Sequence, residues 1–171
     1  LAETASKIVQ QNGLEEDISI LHKRSQDLTI DNEILEPIDI LVAEIVDTGL
    51  LGENVIAAIS DARHRLCKPG ATIIPCGATV YAAPIESKEI ALERRVNIAS
   101  GFNISLLNSL RANMYMQTDL SKYDWRMLTK PVRIFDLDFT RDQPVMEEES
   151  FCLTPYSDGT AHCIAFWFDL H

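Results

Sequence analysis

The sequence predicts an α/β unit followed by a β-rich unit, with a boundary near Pro75. In residues 1–75, helical and strand patterns alternate around one continuous apolar run, which is typical of a parallel sheet covered on both faces. Residues 76–171 contain several strand-like segments, and in Val132–Phe139 apolar and polar side chains alternate with a period of two, which is typical of antiparallel strands with one solvated face. The first unit therefore matches the second half of a doubly wound α/β domain.

The elements of the first unit follow from apolar periodicity and from turn residues. Ile8 and Val9 share an apolar face with Ala2 and Ala5, and Asn12-Gly13 is a typical helix end. The predicted elements are a first helix that ends at Asn12-Gly13, a strand at Ile18–Leu21, a polar loop at Lys23–Ile30, a buried strand at Ile38–Val46, a helix at Glu53–Leu66 closed by Lys68–Gly70, and a strand at Ala71–Pro75.

The second unit reads as four strands interrupted by a long mixed segment. Phe135, Leu137 and Phe139 alternate with two aspartates, so we expect one face to be buried and the other solvated. The segment from about Val96 to Lys130 is rich in apolar residues, which indicates either a docking arm or an ordinary helix pair on its own barrel. The predicted strands are Gly77–Ser87, Val132–Phe139, Glu148–Leu153 and Ala161–Leu170.

Net charge, cysteine spacing and the lengths of apolar runs exclude several classes of protein. The 171 residues carry a formal charge of -11, which argues against a nonspecific nucleic-acid binder and leaves a basic partner open. The four cysteines lack C-x-x-C or zinc spacing, so we expect free, mostly buried thiols in the cytoplasm or nucleus and no metal. No apolar run is long enough to span a membrane, and no signal peptide is apparent. Both ends look cut, from which we expect flanking sequence.

The stretch "EIVDTGLLGEN" follows "IDILVA", one of the most apolar runs in the chain, and carries three carboxylates, Glu44, Asp47 and Glu53, the first of them near the end of the predicted buried strand. Ligands of open α/β sheets bind at the carboxyl ends of strands, and a loop that turns at Gly49 and Gly52 could bring the two glutamates together. Two close carboxylates need a positive charge between them. A metal, a guanidinium, an acid/base pair and simple solvated loop acids all remain open on spacing alone.

This stretch resembles the double-E loop of the protein arginine N-methyltransferases, in which two glutamates lie nine residues apart after the fourth strand. The form E-x-x-D-x-x-x-x-G-E is similar to the tandem-module branch, members seven and nine, and "GATVYAAPIESKEIALERRV" looks most similar to member nine. Further resemblance lies in "KIVQQNGL", "HKRSQDL", "IIPCGATVYAAPIES", "GFNISLLNSL" and "AHCIAFWFDLH", so it covers nearly the whole chain.

The resemblance implies a Rossmann-like S-adenosylmethionine-binding half-domain over residues 1–75. It also implies a β-barrel over residues 76–171, with a helical dimerisation arm at about residues 96–130. It implies that Ser25 and Gln26 contact the cofactor and that Pro75 is in the cis form. The glycine-rich cofactor motif would lie upstream of Leu1, and the Thr-His-Trp loop beyond His171.

The activity that the resemblance implies is methyl transfer to an arginine of a basic protein. Glu44 and Glu53 would be the catalytic pair that grips the guanidinium, while Asp47 would either hold the loop or contact substrate. Val55 stands where the asymmetric-dimethylating members have Met, which favours a monomethyl or symmetric dimethyl product. The partner would be a second methyltransferase module or a homodimer mate. Two rivals stay open, a noncatalytic scaffold module and a metal-dependent hydrolase that uses Glu44 and Asp47.

Overall fold

The computed structural model describes residues 1–93, 95–110, 115–143 and 150–171. The helices are α1 (Ala2–Gln11), α2 (Val55–Arg65) and α3 (Lys88–Glu93). The strands are β1 (Ile38–Val42), β2 (Cys67–Ile74), β3 (Gly77–Glu86), β4 (Ile98–Ala99), β5 (Phe102–Asn103), β6 (Arg126–Met127), β7 (Val132–Asp138) and β8 (Cys163–Leu170). Short 3-10 helices cover Ser25–Asp27, Ser105–Leu110 and Leu120–Lys122.

The first unit is built around a strand–helix–strand crossover. β1 and β2 pair in parallel, with Leu41 opposite Ile73 and Val42 opposite Ile74. α2 connects them, and its buried stripe includes Ile59. This is the expected α/β arrangement, since parallel neighbours need a crossover and a helix supplies it.

The second unit is an antiparallel sheet with β3 at its centre. Along nearly its full length β3 pairs with β8, from Ala78 opposite Leu170 to Ile85 opposite Cys163. On its other side it pairs first with β7 and then with β6. Every residue of β3 is buried or half-buried, as expected for the central strand of a sheet. The predicted strands at Gly77–Ser87, Val132–Phe139 and Ala161–Leu170 are therefore all present.

One hydrophobic core spans the predicted boundary at Pro75. Leu50, Ile59 and Ile73 from the first unit cluster with Val80 and Leu137 from the second. Each such side chain contributes about 1.5–3 kcal/mol when fully buried, so this shared cluster is a major stabilising contact between the two sheets. The Ile74–Pro75 peptide bond is cis, which confirms the expectation for Pro75.

Several expectations for the first unit are wrong. Residues 18–21 form no strand, because Ile18, Ile20 and Leu21 remain exposed and have no strand to pair with. The strand predicted to end at Val46 ends at Val42, where the chain turns into the loop. It is also not buried on both faces, since Val42 is 69% exposed. The segment Lys68–Gly70, expected to close α2, instead lies within β2, which starts at Cys67.

Two expectations for the second unit also fail. The segment at 96–130 contains no α-helix within its described residues, which form a small β4–β5 hairpin, 3-10 turns and β6. Residues 111–114 of that segment, and Glu148 and Glu149 of the strand expected at Glu148–Leu153, lie outside the described residues. Residues 150–153 form no strand. α3 was not anticipated.

The cysteines are all free thiols, but they are less buried than expected. Cys76 and Cys152 are exposed, while Cys67 and Cys163 are half-buried. Burial raises the pKa of the Cys67 and Cys163 thiols, which keeps them protonated. Among the described residues, no helix is both long and apolar enough to cross a bilayer.

Candidate functional site

The candidate site is the loop between β1 and α2, which carries all three predicted carboxylates. The loop leaves the sheet at Ala43, whose N–H donates to the Ile74 carbonyl at 2.8 Å. Glu44 comes next and is exposed at the carboxyl end of β1. Glu53 is exposed at the other end of the loop, two residues before α2 begins. This places both glutamates at the strand edge where α/β sheets bind ligands.

A tight turn over residues 47–52 separates the two glutamates. The Leu50 N–H donates to the Asp47 carbonyl at 2.9 Å, and the Gly52 N–H donates to Asp47 Oδ1 at 2.9 Å. A Cβ at Gly52 would lie only 2.2 Å from Asp47 Oδ2, so glycine is required for the carboxylate to approach this closely. The Asp47 carboxylate therefore closes the turn through the Gly52 N–H, while a contact with substrate stays a prediction.

Leu50 anchors the turn to the core. It is fully buried, at 0% exposure, although its backbone is left-handed with φ 68°. This conformation costs a residue with a Cβ roughly 1–2 kcal/mol, which the burial of the side chain offsets. The buried Leu50 side chain thus attaches the loop to the hydrophobic core.

α2 starts directly after Glu53. Asn54 is its N-cap residue, also left-handed with φ 62°, and its carbonyl accepts the first helical hydrogen bond from the Ala58 N–H at 3.1 Å. Among the residues that the structure describes, neither Glu44 nor Glu53 makes a hydrogen bond or ion pair. Both residues are exposed.

Tyr115 completes the loop from a distant part of the chain. Its hydroxyl donates to Asp47 Oδ2 at 3.0 Å, and its ring packs edge-to-face on Phe166 of β8, with centroids 5.9 Å apart. The pKa of Asp47 is lowered, first by the Gly52 N–H and further by the Tyr115 hydroxyl, so its carboxylate stays ionised. The same bond raises the pKa of Tyr115, since the hydroxyl proton is held by a negative charge.

The loop predicted to contact the cofactor lies against the end of α2. Ser25 and Gln26 are in a 3-10 turn, with Ser25 half-buried and Gln26 exposed. Arg65 holds this turn through hydrogen bonds from its guanidinium to the Ser25 carbonyl at 3.0 Å and the Leu28 carbonyl at 2.7 Å. A bidentate pair with Asp61 orients the guanidinium and raises the pKa of Arg65.

No group of three metal-ligating side chains is assembled within the described ranges. The hydrolase rival needs a histidine beside Glu44 and Asp47. His64 instead lies in the last turn of α2, with its Nδ1 2.8 Å from the Ser60 carbonyl.

No family model matches the chain, but the chain is similar to curated proteins along nearly its whole length. An arginine N(omega)-methyltransferase of Streptomyces achromogenes subsp. streptozoticus is 30% identical over 170 residues, covering 99% of the chain and 47% of the relative. Protein arginine N-methyltransferase 7 of Oryza sativa subsp. indica is 29% identical over 175 residues, covering 96% of the chain and 24% of the relative. The chain belongs to the protein arginine N-methyltransferase family.

Solved structures of arginine methyltransferases share the fold of this chain. The Trypanosoma brucei PRMT1 enzyme-prozyme heterotetrameric complex with AdoHcy superposes with a TM-score of 0.66 at 21% identity, covering 83% of the chain and 44% of that structure. Arabidopsis thaliana protein arginine methyltransferase 10 gives a TM-score of 0.62 at 19% identity, covering 82% of the chain and 45% of that structure. The chain spans about half the length of the Streptomyces relative and about a quarter of the rice relative.

The relatives named member seven agree with the tandem-module branch expected from the loop motif, while the greater similarity to member nine stays a prediction. Two residues that support the candidate site were missed by sequence reasoning. Tyr115 counted only as apolar surface of the 96–130 segment, and no local pattern links it to Asp47. Arg65 had a usable signal, since Asp61 lies one helical turn before it.

Proposed function

We propose that this chain is the arginine-binding part of a protein arginine methyltransferase that transfers methyl from S-adenosylmethionine to a guanidinium. The observation that carries the proposal is the loop between β1 and α2. Two exposed carboxylates, Glu44 and Glu53, lie before and after a turn. The turn is stabilised by the hydrogen bond from the Gly52 N–H to Asp47 and by the buried side chain of Leu50. Two carboxylates on a loop at the carboxyl end of a strand suit a planar, permanently charged guanidinium.

The proposed catalytic role of Glu44 and Glu53 is to bind and orient the substrate arginine. Paired charge-assisted hydrogen bonds would fix the guanidinium and direct one terminal nitrogen toward the methyl donor. The two carboxylates would also keep positive charge on the far side of the guanidinium, which leaves the attacking nitrogen more electron-rich. Positioning and electrostatics supply most of the rate, because direct methyl transfer needs little covalent help.

The bound cofactor would supply an electrophilic sulfonium methyl group. The hydroxyl of Ser25 and the amide of Gln26 offer both donors and acceptors, which suits the edge of an adenine ring. Arg65 fixes the turn that carries them through two backbone carbonyls. Their proposed role is therefore cofactor binding, with Arg65 as a positioning residue.

The finer architecture is part of the same proposal. Residues 1–75 would be the second half of a Rossmann-like domain, and residues 76–171 part of a β-barrel. The parallel β1–β2 pair and the antiparallel sheet around β3 support this division. We also propose a cytoplasmic or nuclear location, in keeping with the free thiols. The proposed monomethyl or symmetric dimethyl product rests on Val55, which is fully buried directly after the loop.

The proposed partners are a basic arginine-containing protein and a second methyltransferase module or copy. The charge of -11 favours a basic substrate. The Trypanosoma brucei relative forms an enzyme-prozyme heterotetramer, and here the 96–110 segment carries apolar side chains suited to a protein contact. The exposed members are Val96, Ile98, Phe102, Leu106, Leu107 and Leu110.

Substitution of each glutamate tests the function in the longest natural form of the protein that contains residues 1–171. Glu44→Gln and Glu53→Gln keep the shape of the side chain and remove its charge. We expect each to lower kcat/KM for an arginine-rich peptide by about 100-fold or more, as loss of a preorganised electrostatic contact does. Radiolabelled methyl transfer measures this, and cofactor titration calorimetry should give an unchanged Kd.

Glu16→Gln is the matched control, since Glu16 is an exposed glutamate outside the loop. It should methylate like the unsubstituted protein. Turnover close to that of the control in either loop variant would overturn the assigned roles. If the unsubstituted protein transfers no methyl group but still assembles with a partner module, the scaffold alternative takes its place.

A further inference from the structure

Tyr115 joins three separate parts of the chain at the candidate site. Its hydroxyl reaches Asp47 in the loop, and its ring packs on Phe166 of β8. The ring also lies directly over Gly49, where an added Cβ would be 3.4 Å from the ring carbon Cζ. The tyrosine is therefore packed from the sheet side and bonded on the loop side.

The hydroxyl of Tyr115 completes the fixation of Asp47. Asp47 Oδ1 accepts from the Gly52 N–H, and Asp47 Oδ2 accepts from Tyr115. Each oxygen of the carboxylate thus has its own donor, one from inside the turn and one from outside it. A carboxylate held at both oxygens cannot rotate freely, because rotation would break one of two charge-assisted bonds.

The orientation of Asp47 bears directly on the spacing of the two glutamates. The turn it closes spans residues 47–52, with Glu44 three residues before its start and Glu53 directly after its end. A change in the turn therefore moves one glutamate relative to the other. Methyl transfer depends steeply on such geometry, since small misplacements of positioning groups cost large factors in rate.

We infer that Tyr115 is a positioning residue for the arginine-gripping loop, acting through Asp47 to set the relative placement of Glu44 and Glu53. This inference rests on the proposed function for its effect on methylation. It assigns Tyr115 no contact with substrate, because its hydroxyl is used by Asp47. The 68 residues that separate Tyr115 from Asp47 in sequence make this a link between the two units of the fold.

Tyr115→Phe isolates the hydroxyl, since the ring and its contact with Phe166 are retained. We expect kcat/KM for an arginine-rich peptide to fall about tenfold, the effect of losing one charge-assisted hydrogen bond, with the KM for S-adenosylmethionine unchanged. Tyr123→Phe is the matched control, because Tyr123 also donates to a carboxylate, Glu93 Oε2 at 2.8 Å, but away from the loop. It should keep normal kinetics.

A double-mutant cycle separates positioning from general stability. Asp47→Ala removes the acceptor, so adding Tyr115→Phe to it should cause no further loss of kcat/KM. If the two losses instead multiply, or if Tyr115→Phe retains full kcat/KM, Tyr115 does not act through Asp47 and the inference is overturned.

Hydrogen exchange tests the same link without reference to catalysis. In Tyr115→Phe the amides of Leu50 and Gly52, which bond to Asp47, should exchange several-fold faster than in the unsubstituted protein. Tyr123→Phe should leave them unchanged. Unaltered exchange in Tyr115→Phe refutes the positioning role. Faster exchange in a protein that methylates no arginine refutes the proposed function alone.

Discussion

The most informative perturbation of stability is at Leu50, because this residue combines complete burial with a left-handed backbone. Its side chain is 0% exposed in the shared core, and its φ is 68°. Leu50→Ala removes the buried side chain but keeps a Cβ in the unfavourable conformation. Leu50→Gly removes the side chain and the conformational penalty together. The two variants therefore report on separate contributions to the free energy of unfolding.

The expected magnitudes follow from burial and backbone conformation. Truncation of a fully buried leucine to alanine costs about 2–5 kcal/mol, so Leu50→Ala should lower the free energy of unfolding by about 3 kcal/mol. At an ordinary site glycine would be worse than alanine by about 1.5 kcal/mol, from one lost methyl group and from the entropy of the unfolded chain. At Leu50, relief of roughly 1–2 kcal/mol of left-handed strain cancels that difference. The two variants should be equally stable within about 0.5 kcal/mol.

Ile59 provides the matched control because it lies in the same core but in the regular helix α2, at 2% exposure. There, Ile59→Gly should be less stable than Ile59→Ala by about 1.8 kcal/mol, from helix propensity and the lost methyl group. Urea denaturation followed by circular dichroism gives all four free energies. If Leu50→Gly has a lower free energy of unfolding than Leu50→Ala, by the same amount as Ile59→Gly compared with Ile59→Ala, the left-handed conformation of Leu50 is refuted.

Two further predictions concern charged residues. A lysine at position 65 cannot bond two carbonyls and a carboxylate at once, as Arg65 does. Calorimetry of Arg65→Lys should therefore show a Kd for S-adenosylmethionine that is several-fold higher. Arg63→Lys, on the same helix, is the control and should leave that Kd unchanged. The ion pair with Lys23 lowers the pKa of Glu33 from 4.5 to about 2. The Glu33 carboxylate therefore stabilises the fold fully above pH 4.5, and this stabilisation is lost as the pH falls toward the lowered pKa. Urea midpoints of Glu33→Gln should therefore lie below those of the unsubstituted protein at pH 7 and converge with them toward pH 2, whereas a constant gap would contradict this assignment.

The parts of the fold that sequence could predict are those with a strong local pattern. β3, β7 and β8 alternate apolar and polar residues or carry long β-branched and aromatic runs, and all three form where expected. α2 shows a clear helical stripe and begins within two residues of its predicted start. In each of these segments, local propensity and tertiary burial favour the same structure, which is why periodicity sufficed.

The failures occur where tertiary partners decide the structure. The apolar run at residues 18–21 has strand propensity, but strand formation needs a hydrogen-bonding neighbour and the described residues supply none. The segment at 96–110 fails for a local reason instead, since Gly101 turns the chain into a short hairpin at φ 83° and a 3-10 helix follows. For the site, the spacing of Glu44 and Glu53 identified the loop, but the partner of Asp47 lies 68 residues away and leaves no local signal.

The position of the site relative to the core explains how a solvent-exposed loop can hold a fixed geometry. Glu44 and Glu53 gain no support from their own side-chain contacts among the described residues. Their positions are fixed by the backbone between them. That backbone is anchored by the Leu50 side chain, in a core shared by both sheets, and by the hydrogen bond between Asp47 and Tyr115. The antiparallel unit therefore stabilises the loop of the α/β unit at two independent points. Removal of either anchor should change the geometry of the loop while leaving both glutamates chemically intact, so the proposed binding of arginine would depend on contacts across the boundary near Pro75.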